Sequence, residues 1–388
     1  MLKVLNISTD ASLLDRAGGS LNDSQQRHRL YGDRVRQLDI IVLWRQGAGR
    51  ERVEVAENVR VIPAVSPFKS GAVFSAIRLG KRLHRETAYD CITAQNPFDC
   101  GFVGWVLRRT CGLPLNIQVH AEFFDNPHWV RGSVKRRGLH YFGKKLLRSA
   151  DTVRVGTSRQ KKRYVSNMGF PEGDVFFLPV IVSADHFRRE SPEGLKEKLF
   201  QSGDRKILLH VGRLERQKNL SMLLDVAQKL KAGRKDLLFA LVGDGPDRES
   251  LEKEIAKRNL GDTVRLFGFI SREKVVDYFL GCDLLVLTSL FEGTCRVLVE
   301  AAFAGKPVVT TSVAGADDVV VDGSTGYVVP VDDREAFSEK ILQLLASEKT
   351  MQSMGQAARE HMTRFFDEKK FLDGLLTMWK ATAGKKIS

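Results

Sequence analysis

The 388-residue chain is 43% hydrophobic with only 11 prolines, a composition that suits packed cores and excludes a disordered or fibrous polymer. Its formal charge of +14 is uneven: residues 1–185 hold 29 Lys/Arg against 17 Asp/Glu and the rest 32 against 30, so an anionic partner is expected for the first half alone. No apolar run reaches the roughly 18 residues that span a bilayer, and five scattered cysteines without a C-x-x-C pair read as reduced thiols, so cytoplasmic residence is expected.

MLKVLNISTD opens the chain as a first strand rather than a secretory signal. The β-rich runs IIVLW, VRVIPAV, DCITAQN, LNIQVH, DTVRVGT and VFFLPV follow, alternating with helical segments such as VFSAIRLGKRLHRE. That rhythm predicts βαβ units on a largely parallel sheet. Between Arg131 and Arg163 stand twelve Lys/Arg and one acid, Asp151. There Leu139, Phe142, Leu146 and Ala150 share a loose helical face; Arg136, Arg137, Lys144, Lys145 and Arg148 lie largely off it, and Lys135 and Lys145 intrude. Each cation beside an anionic leaflet contributes about 1 kcal/mol, so the belt reads as a patch for a membrane surface or an acidic acceptor. A solvated helix face is the plainer alternative, and nucleic acid is disfavoured because few aromatics are interleaved.

The polar stretch from about 181 to 204 breaks the rhythm. It divides the chain into a first domain over 1–185, a linker over 186–204 and a second domain over 205–365. A C-terminal helical segment over 366–388 is free to pack back on the first. In the second domain KILLHVGRL, LLFALVGDG, TVRLFGF, DLLVLTS, PVVTTS and GYVVPV read as strands, with NLSMLLDVAQKLKAG an amphipathic helix between the first two. The fold class is therefore α/β, with two doubly wound Rossmann-like domains facing a central cleft at the carboxyl ends of their strands.

In HVGRLERQKN, Gly212 permits a turn from which Arg213 and Lys218 project, and two cations on one loop suit a diphosphate; both also fit a solvated surface. In LTSLFEGTCRVLVEAAFAG a strand ends, Glu292 and Gly293 turn, and a helix is expected from about Thr294 to Ala304, stopped by Gly305. The N–H groups of Gly293, Thr294, Cys295 and Arg296 would then open a helix N-terminus, a seat for phosphate. Glu292 favours the helix dipole by only about 0.3–1 kcal/mol, and Glu300 fits an exposed helical position. Beside a diphosphate, however, two carboxylates suit sugar and ribose hydroxyls and an oxocarbenium-like centre.

GRLERQKN, LVGDGPDR, LFGFISREKVVDYFLGCDLLVLTSLFEGTCRVLVEAAFAGKPVVTTS and DGSTGYVVPVDD together resemble a GT-B fold retaining glycosyltransferase of family 4, over nearly all of residues 207–345. The first half is similar through DRAGGS and VHAEFF. The resemblance implies a nucleoside diphosphate sugar, UDP- or GDP-linked, as donor, with no cofactor. It implies that Arg213 and Lys218 bind the diphosphate and Glu300 the ribose. Glu292 would meet the sugar near its anomeric carbon, helped by the Thr294 and Cys295 amides. It further implies that Gly19 offers an N–H to the distal phosphate, that His120 reaches the sugar, and that the base lies against Phe267, Gly268 and Phe269. Gly18-Gly19 also fits an ordinary turn, and His120 a structural histidine. Many members have Glu-Gly-Phe-Gly where this chain has Glu292-Gly293-Thr294-Cys295, which places a hydroxyl and a thiol next to the donor sugar.

No Asp-x-Asp, H-E-x-x-H or P-loop pattern occurs, and Arg248 interrupts a G-x-G-x-x-G after Gly243 and Gly245, so a metal-independent reaction without nicotinamide is expected. The chemistry expected is retaining transfer of a sugar to a glycan or lipid-linked acceptor, peripheral on the inner membrane face. A GT-B UDP-sugar epimerase and a non-catalytic basic binding protein are the alternatives. Glu292→Ala and Lys218→Ala are each expected to abolish transfer with the fold intact.

Overall fold

The computed structural model describes residues 1–15, 21–45, 51–124, 126–130, 133–179, 182, 184–187 and 191–385. Its strands are β1 (Lys3–Ser8), β2 (Gln37–Arg45), β3 (Val53–Ala56), β4 (Val59–Ser66), β5 (Cys91–Ala94), β6 (Leu115–Val119), β7 (Thr152–Val155), β8 (Val175–Phe177), β9 (Lys206–Val211), β10 (Leu237–Val242), β11 (Val264–Gly268), β12 (Leu284–Leu287), β13 (Val308–Thr311) and β14 (Gly326–Val329). Its helices are α1 (Asp23–Gly32), α2 (Lys69–Thr87), α3 (Asp99–Cys111), α4 (Pro127–Val130), α5 (Val134–Arg148), α6 (Ser158–Met168), α7 (Leu195–Phe200), α8 (Leu220–Lys231), α9 (Arg248–Lys257), α10 (Arg272–Gly281), α11 (Arg296–Phe303), α12 (Ala316–Val319), α13 (Arg334–Leu345), α14 (Glu348–Phe365) and α15 (Glu368–Ala383).

The chain forms two compact units, Met1–Ile181 with Glu368–Ser388, and Val182–Asp367. Each is the doubly wound α/β domain that the alternation predicts. The first holds an eight-stranded sheet in the order β3-β4-β2-β1-β5-β6-β7-β8, parallel except for the β3–β4 hairpin at its edge. In the second, six parallel strands run β11-β10-β9-β12-β13-β14. Both sheets are covered on both faces, which is why their central strands read as nearly continuous apolar runs. The stretch expected as a linker, 186–204, carries α7 in the second unit, where Leu195 and Phe200 are buried because they reach the apolar cluster of Phe279 and Tyr278.

In the first unit, successive residues of each strand face different layers. Leu5, Ile7, Ile117, Val119, Val153 and Val155 join the cluster under α2 and α3. Val4, Leu38 and Ile40 join the opposite cluster, closed by Leu372, Leu375, Met378 and Trp379 of α15. That second layer also takes in a polar row. Gln118 Nε2 donates to Thr93 Oγ1 at 2.8 Å, Asn116 Nδ2 donates to Thr152 Oγ1 at 2.9 Å, and Thr152 and Thr382 hydroxyls meet at 2.7 Å, all of them buried.

On α5 the buried residues are Gly143, Leu146 and Leu147. Phe142, expected on the inner face, is instead 42% exposed. The reason is the helical period: 143 and 147 are neighbours at i, i+4, and a Cβ on Gly143 would lie 2.8 Å from Phe98 and 3.1 Å from Phe124. Of the basic patch, Lys135, Arg136, Arg137, Lys145 and Arg148 are exposed and Lys144 is half-buried.

Candidate active site

In an open doubly wound sheet, ligands gather where the strand order reverses, beyond the carboxyl ends of the strands. In the second unit that point lies between β9 and β12. Lys218 follows β9 and Glu292 follows β12, and the structure joins them: Lys218 Nζ lies 2.5 Å from Glu292 Oε1, with side chains only 12% and 11% exposed. Ser289 Oγ donates to the same carboxylate at 2.6 Å and Gln217 Nε2 to its other oxygen at 3.4 Å. The two loops are also tied by a backbone bond, Leu290 N to Gln217 O at 2.8 Å, and by the Thr288 hydroxyl, which donates to Lys218 O at 2.9 Å. Ser289 and Gln217 were not among the expected residues; only their nearness to Glu292 and Lys218 in the sequence marks them.

The Lys218 loop is held from behind by glycines. Gly243 has φ +138, and a Cβ there would come within 1.8 Å of Gly212 O; one on Gly245 would come within 2.3 Å of Leu214 O. Gly212 N donates to Val242 O and Leu214 N to Asp244 O, each at 3.0 Å. Gly243 and Gly245 thus shape a turn that seats the neighbouring loop. Arg213, expected to project with Lys218, is 68% exposed and lies 3.5 Å from Glu215.

Helix α11 begins at Arg296, two residues later than expected, and no side chain caps its N-terminus. The residue before it, Cys295, sits at φ +43 in the left-handed region, which explains why a glycine suits this position in Glu-Gly-Phe-Gly. Its thiol, expected next to the donor sugar, donates to Ala314 O at 3.0 Å and the residue is 2% exposed, so the sulfur points into the core. Gly293 and Thr294 are half-buried. One turn into α11, Glu300 accepts from Arg296 Nε at 3.2 Å. Burial pushes its carboxyl up to about 7, against the opposing pull of Arg296.

Of the residues expected to hold a base, Phe267 is half-buried, its ring packed against Phe200 and Tyr278 at 5.6 and 5.5 Å. Gly268 accepts from Gly243 N at 2.8 Å, and Phe269 is 77% exposed. Gly19 lies outside the described residues.

His120 directly follows β6 in the first unit, where the reversal point lies between β1 and β5. It lines a cavity of about 710 Å³ with Thr9, Gln95, Asn96, Phe98 and Phe123, residues that follow β1, β5 and β6. Burial, with Arg154 and Arg27 nearby, pushes its imidazole down to about 3, so the ring is neutral across the physiological range.

Residues 193–361 match the family described as glycosyl transferases group 1, and residues 29–181 match the glycosyl transferase 4-like domain. The chain is 28% identical to alpha-D-kanosaminyltransferase of Streptomyces kanamyceticus over 76% of its own length and 78% of that protein. It is 27% identical to D-inositol 3-phosphate glycosyltransferase 2 of Catenulispora acidiphila, over 77% and 72%. Among solved structures it is similar to sucrose-phosphate synthase from Thermosynechococcus elongatus, with a TM-score of 0.79 and 21% identity over 96% of this chain and 97% of that one. HepE of Anabaena in complex with UDP aligns with a TM-score of 0.73 and 18% identity, over 96% and 98%.

Proposed function

Because the chain belongs to the group 1 glycosyl transferases, with their GT-B fold and nucleotide-sugar chemistry, we propose that it is a retaining enzyme whose second unit grips the donor diphosphate around Lys218 and Glu292. The observation that carries this reading is the buried ion pair at the strand-order reversal, beside an uncapped helix start. Desolvating an ammonium and a carboxylate is expensive, and the pair is well formed here because Ser289 and Gln217 complete it. A diphosphate gives Lys218 a second anion, and the exposed Arg213 is free to turn towards the same phosphates.

Glu292 then accepts from sugar hydroxyls close to the reacting carbon, and Glu300 from the ribose. In the transfer step the bond from the anomeric carbon to the diphosphate oxygen breaks as the acceptor oxygen bonds to that carbon on the same face. The acceptor's proton passes to the departing phosphate oxygen. His120, neutral and able to donate or accept one hydrogen bond, positions rather than deprotonates. The donor is a UDP- or GDP-sugar and the reaction needs no metal. The 710 Å³ cavity of the first unit takes the acceptor, a glycan or lipid-linked precursor.

The outer face of α5 supports a peripheral seat on an anionic cytoplasmic membrane surface. Val134 and Tyr141 are 83% and 76% exposed there, among Arg136, Arg137, Lys145 and Arg148. No described helix is long and apolar enough to cross a membrane. A transfer assay with a panel of UDP- and GDP-sugars tests the reading: the wild type should release nucleoside diphosphate with a glycosylated product, and Lys218→Met should not. Equal turnover by that variant would remove Lys218 from the site.

A further inference from the structure

A second cavity of about 190 Å³ adjoins the larger one in the first unit, and Gln95 and His120 line both. Its wall is built from the polar row of the sheet and from α1 and α15. Arg154, midway along β7 and 4% exposed, donates Nε to Leu178 O and Nη1 to Gln118 Oε1, each at 3.0 Å. Both acceptors are neutral. The guanidinium carbon stands 5.1 Å from the Phe371 ring centroid, and among the described residues Arg154 forms no ion pair. From the other side, Arg27 donates Nη2 to Ser24 Oγ at 3.0 Å, while its buried Nε has no partner.

Two guanidiniums thus share a space, with one positive charge beyond what its one described lining carboxylate, Asp10, balances. Its oxygens accept from Ser12 N at 3.1 Å, Ser12 Oγ at 2.6 Å and Ser24 Oγ at 2.5 Å. The lining histidines add no charge at neutral pH, since burial pushes His28 down to about 4 and His120 to about 3. Two further lining residues carry unpaired groups. The indole Nε1 of Trp379, a residue 1% exposed, is a donor with no acceptor, and Asn6 Oδ1, 3% exposed, is an acceptor with no donor.

Water would satisfy the unpaired donor and acceptor but would leave the excess positive charge without a counter-charge, and an unpaired buried charge is costly. An acid group compensates it and accepts from Arg27, Arg154 and Trp379; a neighbouring hydroxyl serves Asn6 Oδ1. Since a water molecule's share of liquid volume is about 30 Å³, the space suits one acid group with its near surroundings and is too small for a nucleotide.

We propose that this cavity is a subsite for an acid-bearing sugar acceptor, a sugar acid or sugar phosphate, whose carboxylate or phosphate sits between Arg27 and Arg154. The proposal rests on the reading of the first unit as the acceptor side, and it names the chemical class of the acceptor.

The test uses the full chain labelled with ¹⁵N-tryptophan, its Trp379 indole signal assigned with Trp379→Phe. D-glucuronate, inorganic phosphate and D-glucose are titrated separately, with thermal unfolding followed in parallel. Glucuronate or phosphate should move the Trp379 N–H signal and raise the unfolding temperature, and whichever acts identifies carboxylate or phosphate as the group. Glucose should do neither. Arg27→Gln, at a half-buried site where the fold tolerates change better than at Arg154, should weaken the effective anion about tenfold and leave UDP binding in the second unit as in the wild type. The inference is overturned if glucose moves the signal as much as the acids do, if neither acid moves it, or if Arg27→Gln responds like the wild type. Loss of nucleotide binding by the wild type would instead sink the transferase reading, whatever the indole signal shows.

Discussion

Glu292→Ala should unfold the second unit early, contrary to the expectation from sequence that the fold would be untouched. The substitution leaves Lys218, 12% exposed, without its partner at 2.5 Å. At an effective dielectric of 20 two unit charges at that distance attract by about 6 to 7 kcal/mol, most of it offset by their desolvation. Removing one partner of such a pair typically costs about 3–5 kcal/mol, because the other charge stays buried. For a unit of this size each kcal/mol lowers the unfolding temperature by about 2–4 °C, so a drop of about 6–20 °C is expected. Lys218→Met alone should cost a similar amount, because Glu292 is then left buried and unpaired, whereas Lys218→Met combined with Glu292→Ala removes both charges and should recover most of the loss, so the sum of the two single costs exceeds the cost of the double by at least about 3 kcal/mol. Sugar transfer should fall at least about a hundredfold in all three variants, since the group that stabilises the leaving diphosphate is lost or displaced. Scanning calorimetry on the four proteins, with nucleoside diphosphate release measured alongside, decides the matter. If Glu292→Ala unfolds within a degree of the wild type, or the two single effects simply add, the pair is a solvated surface contact and the reasoning fails.

Further outcomes follow from the same structure. Glu300, with its carboxyl raised to about 7, ionises later in the folded than in the unfolded chain, so its contribution to stability is lost as pH rises from about 4.5 through 7. Glu300→Gln should therefore gain about 2–3 kcal/mol more relative to wild type at pH 8 than at pH 5, and an equal effect at both pH values would contradict the burial argument. His28 and His210 act in the opposite sense: burial holds them at about 4 and about 3, so stability present above pH 6.5 falls as acid protonates the unfolded chain. Each should cost about 2 kcal/mol at pH 5, and His210→Leu should flatten the acid limb of a thermal stability profile; an unchanged slope would count against it. Arg136, Arg137 and Lys145 changed together to Gln should weaken sedimentation with phosphatidylserine vesicles by a hundredfold or more, about 3 kcal/mol at about 1 kcal/mol per cation. Undiminished binding would dissociate α5 from the membrane.

The doubly wound fold was legible because buried parallel strands alternate with amphipathic helices, a signal that spans whole elements and survives small boundary errors. Local patterns carried less. Lys218 and Glu292 stood out by motif, but their pairing spans 74 residues and depends on the strand order that sets β9 beside β12. Cys295 could not be placed from its type, since its left-handed backbone turns the thiol inward. The resemblance sets Phe267 against the base, yet its ring packs with Phe200 and Tyr278. The polar row of the first unit leaves a trace in the sequence. LNIQVH and TVRV alternate polar and apolar residues, which in a strand covered on both faces means a buried polar layer, not a solvent face.

Calorimetric titration of UDP and GDP, each against its parent nucleoside, tests the central claim most directly. If the ammonium of Lys218 and the start of α11 grip a pyrophosphate, one of the two diphosphates should bind and its nucleoside should bind at least about tenfold more weakly. Equal affinity of the nucleoside, or no binding of either diphosphate, would contradict it.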